Sequence, residues 1–395
     1  MPNKTSSATL SASADPAAAP CQRGPASLSR KLTYIAAGLA VSATVCFSAA
    51  AYAAGQPILI GQSVPMGMAN FKVASAITDA TRALVDAVNA GGGIGGRPVE
   101  LITLQDDGTP EGYADNVAQL LEDDGVLAVI NCVGDRVCDA AVPVIGQADG
   151  LLVGTISGAT TLRGAGDGRV FPVRGDYHAE AGKLAKQMAT IGVLRAAIMS
   201  DASSLPEKVE ALSSAMEANR IKVSRINADD TALQLLKGIK PDALVLDLSA
   251  ATAMTTPILQ PDNQSQLPPI VVSMADPSLV MTVPSIRGRM LGFTTVVPNP
   301  EASPAPLANE FRRVTAELPL STNYLGFEAY LNLRVVLDAI GGISGDIDRA
   351  ALRRQLSQMS DRDIGGLRVT PTGMGDKTVA RIGLGVLSSA GYLIE

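Results

Sequence analysis

Residues 86–107 read DAVNAGGGIGGRPVELITLQDD. Upstream of the glycines, residues 73–88 place Ala, Ile, Leu and Val three and four positions apart, which predicts an amphipathic helix. Asn89 to Gly92 stop it, because glycine accepts the left-handed cap at little cost. Downstream, residues 99–104 form a short run rich in branched side chains, which predicts a strand. Gly91 to Gly96 formally match G-x-G-x-x-G, but they follow a helix and precede a strand. A dinucleotide site needs the opposite polarity, with phosphate at a helix N-terminus. The stretch is therefore a helix stop and turn, and no G-K-[ST] follows to make it a phosphate loop.

The pattern extends in both directions. Residues 56–63 (QPILIGQS) read as a strand. Asp107 and Thr109 are cap-type residues and Pro110 suits a first helical turn, so a helix is predicted from there to about Glu122. Next come a strand at 126–131, a helix at about 136–148 and a strand at 151–156. Strands this apolar, alternating with helices, indicate a parallel sheet covered on both faces. The rhythm restarts with a helix at about 178–191, a strand at 195–200, a helix at 205–218 and a strand at 222–226. A helix at 231–239 and strands at 243–248 and 270–273 complete a second α/β unit. Residues 307–318, 324–340 and 349–359 read as later helices and 379–393 as strands. Pro-rich 297–306 (VPNPEASPAP) reads as a linker between the two units.

Composition narrows the function. The chain has 395 residues, which favours about two domains. Aromatics are 3% with no Trp, and the net charge is −6, so neither base stacking nor a basic nucleic-acid surface is expected. Arg30 and Lys31 precede an apolar stretch from Ile35 to Phe47, and Ala51-Tyr52-Ala53 supplies a small-x-small cleavage site. This is the pattern of an export signal cut after Ala53. The alternative is an uncleaved anchor over 32–53, an Ala- and Ser-rich stretch that just reaches the roughly 20 residues a span needs. Cys132 and Cys138 would follow the exported chain, and a disulfide between them requires Cα atoms within about 7 Å. They have no companion His or second Cys pair to make a metal site. No cofactor is expected.

His178 is the one histidine, and neither G-x-S-x-G nor H-E-x-x-H surrounds it, so it reads as a surface residue at a helix start. The pairs Asp106/Asp107 and Asp123/Asp124 fall at element ends, where acids cap helices or face water. Ligands of open α/β sheets sit beyond the carboxyl ends of the strands. Those ends, at 63–67, 133–136, 157–161, 201–204, 249 and 274–276, are rich in Ser, Thr, Gly and Asp. The same residue types also serve as ordinary caps, so the enrichment marks candidates only.

Several stretches, taken in order, resemble the type I periplasmic binding proteins, specifically the leucine/isoleucine/valine-binding branch that serves ABC transporters. They are IGQSVPMG at 60–67, the 86–107 stretch, LLEDDGV at 120–126, SGAT at 157–160 and GFEA at 326–329. The resemblance implies an α/β fold of two Rossmann-like lobes with parallel-dominated sheets, joined by a three-crossover hinge that closes on a ligand. It implies residues 1–53 as presequence, 54–174 plus about 298–345 as lobe 1, and 175–297 plus about 346–395 as lobe 2.

It also implies that loops after the third and fourth strands hold a ligand carboxylate. These correspond to Gly134 and Asp135, and to Ser157, Gly158, Ala159 and Thr160, with Thr161 as the alternative to Thr160 if the register slips. Tyr177 follows the crossing into lobe 2 and is a cleft candidate, and Asp276 lies near the family's acid for an ammonium. Two departures stand out. The family usually has Ser or Thr near Asp135, and an acid there would repel a carboxylate. DASSLP at 201–206 replaces the usual Y-G loop. The implied function is a periplasmic receptor for an amino acid, by default branched-chain, or another small organic acid or amide. Its partner would be an ABC permease in the inner membrane. The alternatives are a sensor of the same fold and an enzyme using cleft carboxylates.

Overall fold

A computed structural model of the chain describes residues 55–67, 70–274, 290–319, 323–371, 381–387 and 393–395. The expected leader, residues 1–53, and Asp276 lie outside the described residues.

Strand β1 (Ile58–Pro65) leads to helix α1 (Phe71–Ala90), β2 (Val99–Asp106), α2 (Pro110–Glu122) and β3 (Ala128–Ile130). Helix α3 (Asp135–Gln147), β4 (Leu152–Val153) and β5 (Val170–Phe171) follow. The strands form one sheet in the order β2-β1-β3-β4-β5, every pair parallel. The chain continues through α4 (Tyr177–Thr190), β6 (Arg195–Ser200), α5 (Pro206–Ala218), β7 (Lys222–Asn227), α6 (Ala232–Ile239) and β8 (Ala243–Asp247). After α7 (Ala250–Thr255) come β9 (Ile270–Ser273) and β10 (Met290–Thr295). Three helices follow, α8 (Pro306–Val314), α9 (Tyr324–Gly341) and α10 (Arg349–Gln358). A hairpin of β11 (Arg362–Ile364) and β12 (Leu367–Val369) precedes β13 (Gly383–Leu387) and β14 (Leu393–Ile394). The second sheet runs β14-β13-β10-β9-β8-β6-β7, parallel from β10 to β7 and antiparallel where β13 and β14 join. The architecture is therefore α/β with mostly parallel sheets.

The 86–107 stretch folds as its residues require. Helix α1 buries Val73, Ile77, Ala80 and Leu84 and ends at the glycines. Gly93 has φ +73°, and a Cβ there would lie 2.0 Å from the Arg97 carbonyl oxygen, so only glycine fits. The Asn89 side chain then acts as a short strand partner: its amide donates to the Val99 carbonyl at 2.8 Å and its oxygen accepts from the Val99 N–H at 2.8 Å. Thr109 caps α2 by accepting from the Gly112 N–H at 3.0 Å, with Pro110 in the first turn.

The chain passes between the sheets three times: after β5, after β10 through the Pro-rich 296–305 segment, and between β12 and β13. Helix α9 is buried along almost its whole length and packs in the first sheet's core with Ile58, Ile130 and Phe171. Residues 349–369, assigned from sequence to the second unit, pack there too. Leu352 and Leu356 of α10, with Ile364 and Leu367 of the hairpin, join that same core. Their apolar stripe has a ready partner in α9, so the last return to the second sheet comes after Val369. Among the described residues no helix is long and apolar enough to cross a membrane.

Candidate functional site

A cavity of about 500 Å³ lies where the carboxyl ends of both sheets converge. This is within the range of small-molecule sites. The first sheet contributes Ser63 at the end of β1 and Asp106 at the end of β2. Ser63 Oγ donates to Asp106 Oδ2 at 2.5 Å, and Asn116 Nδ2 donates to Ser63 Oγ at 3.0 Å. The Gly108 N–H donates to Asp106 Oδ1 at 2.8 Å, so this acid organises the turn into α2. Beside it, Tyr113 is fully buried, and its hydroxyl has no hydrogen-bond partner among the described residues. Burial, and then the Asp106 charge, push the Tyr113 phenol far above its ordinary range.

Asp135 stands in the first turn of α3, and Gly134 takes φ +96° to start that helix. Ser157 Oγ donates to Asp135 Oδ1 at 2.5 Å, and the Tyr177 hydroxyl donates to the same oxygen. Burial, first of all, raises the Tyr177 phenol as well. A disulfide between Cys132 and Cys138, with Cα atoms 5.6 Å apart, closes a ring around Gly134 and Asp135. The spacing of these cysteines left that bond open, and the tight β3-to-α3 turn is what makes it.

The second sheet contributes Lys208 from α5 and Asp247 from the end of β8. Lys208 Nζ is 2.8 Å from Asp247 Oδ1 and 5.0 Å from the centre of the Tyr177 ring, a cation–π contact between the two. Asp247 Oδ2 is buried without a hydrogen-bond partner among the described residues.

Arg174 reaches the cavity from the first crossing. Its Nε lies 3.3 Å from Glu328 Oε1 of α9, and its Nη2 lies 4.0 Å from Glu180 Oε1 of α4. Thr294 Oγ1 of β10 donates to Glu180 Oε2 at 2.8 Å. All three charged side chains are buried. Burial alone would lower the Arg174 pKa, but the Glu328 and Glu180 carboxylates outweigh it and the net shift is upward. Burial pushes Glu328 up to about 7 against the pull of Arg174, and it raises Glu180 as well.

Of the residues expected at the ligand, Gly134, Asp135 and Tyr177 line the cavity. The 157–160 loop does not. Ser157 is buried on Asp135, and its Oγ also accepts from the Ala159 N–H at 3.2 Å. Gly158 lies against the Tyr177 ring, where a Cβ would come within 2.6 Å, and its carbonyl accepts the Tyr177 N–H at 3.0 Å. Thr160 is exposed, and its N–H donates to the Glu207 carboxylate of α5 at 3.1 and 3.3 Å. Thr161 Oγ1 donates to Asp139 Oδ1 at 3.3 Å. His178, with a side chain 62% exposed, stands at the surface 3.9 Å from Glu207. Sequence reading did not single out Arg174, Lys208, Tyr113 or Asp247. Asp106 was read there only as an element-end acid, although its place at the end of a parallel strand was a usable signal.

Comparison with known proteins agrees with this fold. A substrate-binding periplasmic protein from Ralstonia solanacearum superposes with a TM-score of 0.73 at 23% identity, covering 85% of this chain and 99% of the other. A branched-chain amino acid transporter substrate-binding protein from Streptococcus pneumoniae, solved with isoleucine, gives 0.71 at 16% identity over 85% and 97%. A fatty acid ABC transporter substrate-binding protein from Thermomonospora curvata gives 0.73 at 15% identity over 86% and 91%. At these identities the likeness is one of fold. No curated protein sequence matches. A family model described as periplasmic binding protein matches residues 57–380, most of the chain and both sheets, and this chain belongs to that family.

Proposed function

We propose that the protein is an extracytoplasmic solute-binding receptor of an ABC importer, which closes its two sheets over a small molecule and does no chemistry on it. The supporting observation is the cavity at the carboxyl ends of both sheets, with polar groups supplied from each side and Arg174 from the first chain passage. Its walls combine apolar side chains with a few fixed polar groups, the usual make-up of a small-molecule site. Export through the 30–53 segment, cut after Ala53, fits a cleft that must meet solute outside the cytoplasm.

The test is a thermal-shift screen on protein recovered from the periplasm of expressing cells, with Ala54 expected as its first residue. The panel holds branched-chain amino acids, their amides and amines, and short organic acids. A solute at about 100 times its dissociation constant is expected to stabilise the fold by about 2.7 kcal/mol. Mass spectrometry should recover that solute unchanged. Turnover of the bound compound, or no shift across the panel, would overturn the reading.

A further inference from the structure

Most of the side chains that could receive a ligand's carboxylate are already engaged within the chain, exceptions among the described residues of the lining being the Tyr113 hydroxyl, which is buried, and Arg136. The N-terminus of α3 opens on the cavity, and such a terminus favours an anion. Asp135 itself stands in that first turn. Both hydroxyls that converge there, Ser157 and Tyr177, donate to Asp135 Oδ1. The Thr160 amide is held by Glu207 across the opening between the sheets. Ser63 donates to Asp106, Ser204 to the Asp247 carbonyl at 2.8 Å, and Ser249 to Asp201 at 2.8 Å. The cations are engaged as well: Lys208 pairs with Asp247, and Arg174 lies between Glu328 and Glu180. The remaining basic residue of the lining, Arg136, is exposed.

What the cavity offers instead is acceptors. Asp135 Oδ2 receives no hydrogen bond from the described residues, and Asp247 Oδ2 is buried without a hydrogen-bond partner among them. Of the two, Asp135 is the half-buried one. The lining also has apolar side chains, Val73, Val133, Ile156, Leu248, Met274 and Leu325. We infer that the cleft takes the N–H-bearing end of a small molecule, an amine or a carboxamide on an apolar body, with Asp135 as its acceptor, and that it disfavours a free carboxylate at that place. This rests on the solute-binding reading and names the chemical class of the solute. An N–H donor completes the carboxylate's hydrogen bonding, whereas a carboxylate would bring a second negative charge to a half-buried one.

The experiment is isothermal titration of the purified protein with an isosteric series of isovalerate, isovaleramide and isoamylamine, and with leucine beside leucinamide. The amide or amine of each set is expected to bind at least tenfold more tightly than its acid. Asp135→Asn keeps an oxygen for Ser157 and Tyr177 and removes the charge, so it should weaken the amine at least tenfold and the amide less. Asp135→Ser should narrow or reverse the preference against acids. Acids binding as tightly as their amides and amines, or Asp135→Asn leaving the amine unchanged, overturn the head-group assignment and leave the solute-binding reading intact. Silence across both sets and across the wider solute panel overturns both.

Discussion

Two clusters built around carboxylates, one reached by Tyr177 and the other by Arg174, behave differently in this molecule. At the cavity, Asp135 is held by two neutral hydroxyls and keeps one oxygen for something else. Arg174, which also lines the cavity, is enclosed by Glu180 and Glu328, and all three are buried. The open cluster has room to exchange partners. In the sealed one each charge depends on the others, because a buried ion without its counter-ion bears a large desolvation penalty. Carboxylates alone therefore do not mark a binding site. What distinguishes the two clusters is the partner: neutral hydroxyls hold Asp135, which is half-buried with an oxygen to spare, whereas Glu180 and Glu328 are buried around the charge of Arg174.

The strongest way to break this contrast is Arg174→Met. It strands two buried carboxyls and is expected to lower unfolding stability by about 3–5 kcal/mol in urea titration. Adding Glu180→Gln and Glu328→Gln to the same chain should recover most of that loss. A single variant within about 1 kcal/mol of the parent would show that the sealed cluster is not interdependent.

The next effect is on pH. Glu328 has its folded pKa raised from 4.5 to about 7, so the folded state holds a proton that the unfolded chain releases. The associated stability is fully present below pH 4.5 and is lost as pH rises through about 7. Between pH 5 and pH 8 this amounts to about 2 kcal/mol, and Glu180 is shifted in the same direction. Glu328→Gln should flatten the decline in urea midpoint over that interval. An unchanged slope would remove Glu328 as its source.

The smallest effect belongs to the open cluster. Asp135→Asn is expected to change unfolding stability by no more than about 1 kcal/mol, since its remaining oxygen can still accept from Ser157 and Tyr177. A loss as large as that of Arg174→Met would erase the distinction between the two clusters.

The first half of the frame was legible because its signals are local. Gly93 has to be glycine, Asn89 fixes the following strand and Thr109 with Pro110 starts a helix, all within a few residues of each other. Strands β5 and β4 are two residues long in the structure, too short for periodicity to mark β5 or to bound β4. The β11–β12 hairpin left no alternation long enough to read. Helix α10 was visible, but its choice of sheet depended on α9, a tertiary fact. The site divides the same way. Gly134, Asp135 and Tyr177 flank recognisable loops, so resemblance pointed to them. Lys208 and Asp247 meet only when α5 and β8 pack, and Glu328 reaches Arg174 only through the crossing between sheets. Charges so distant in the chain leave no pattern in it.

The ring closed by Cys132 and Cys138 has a consequence for affinity. Ordering a free loop costs entropy, and a receptor that orders its loop on binding loses that amount from every encounter with solute. Here the segment carrying Gly134 and Asp135 is constrained covalently, so its ordering belongs to maturation of the chain and not to capture of the solute. On the proposed solute-binding function, opening the ring would transfer that cost back to each binding event.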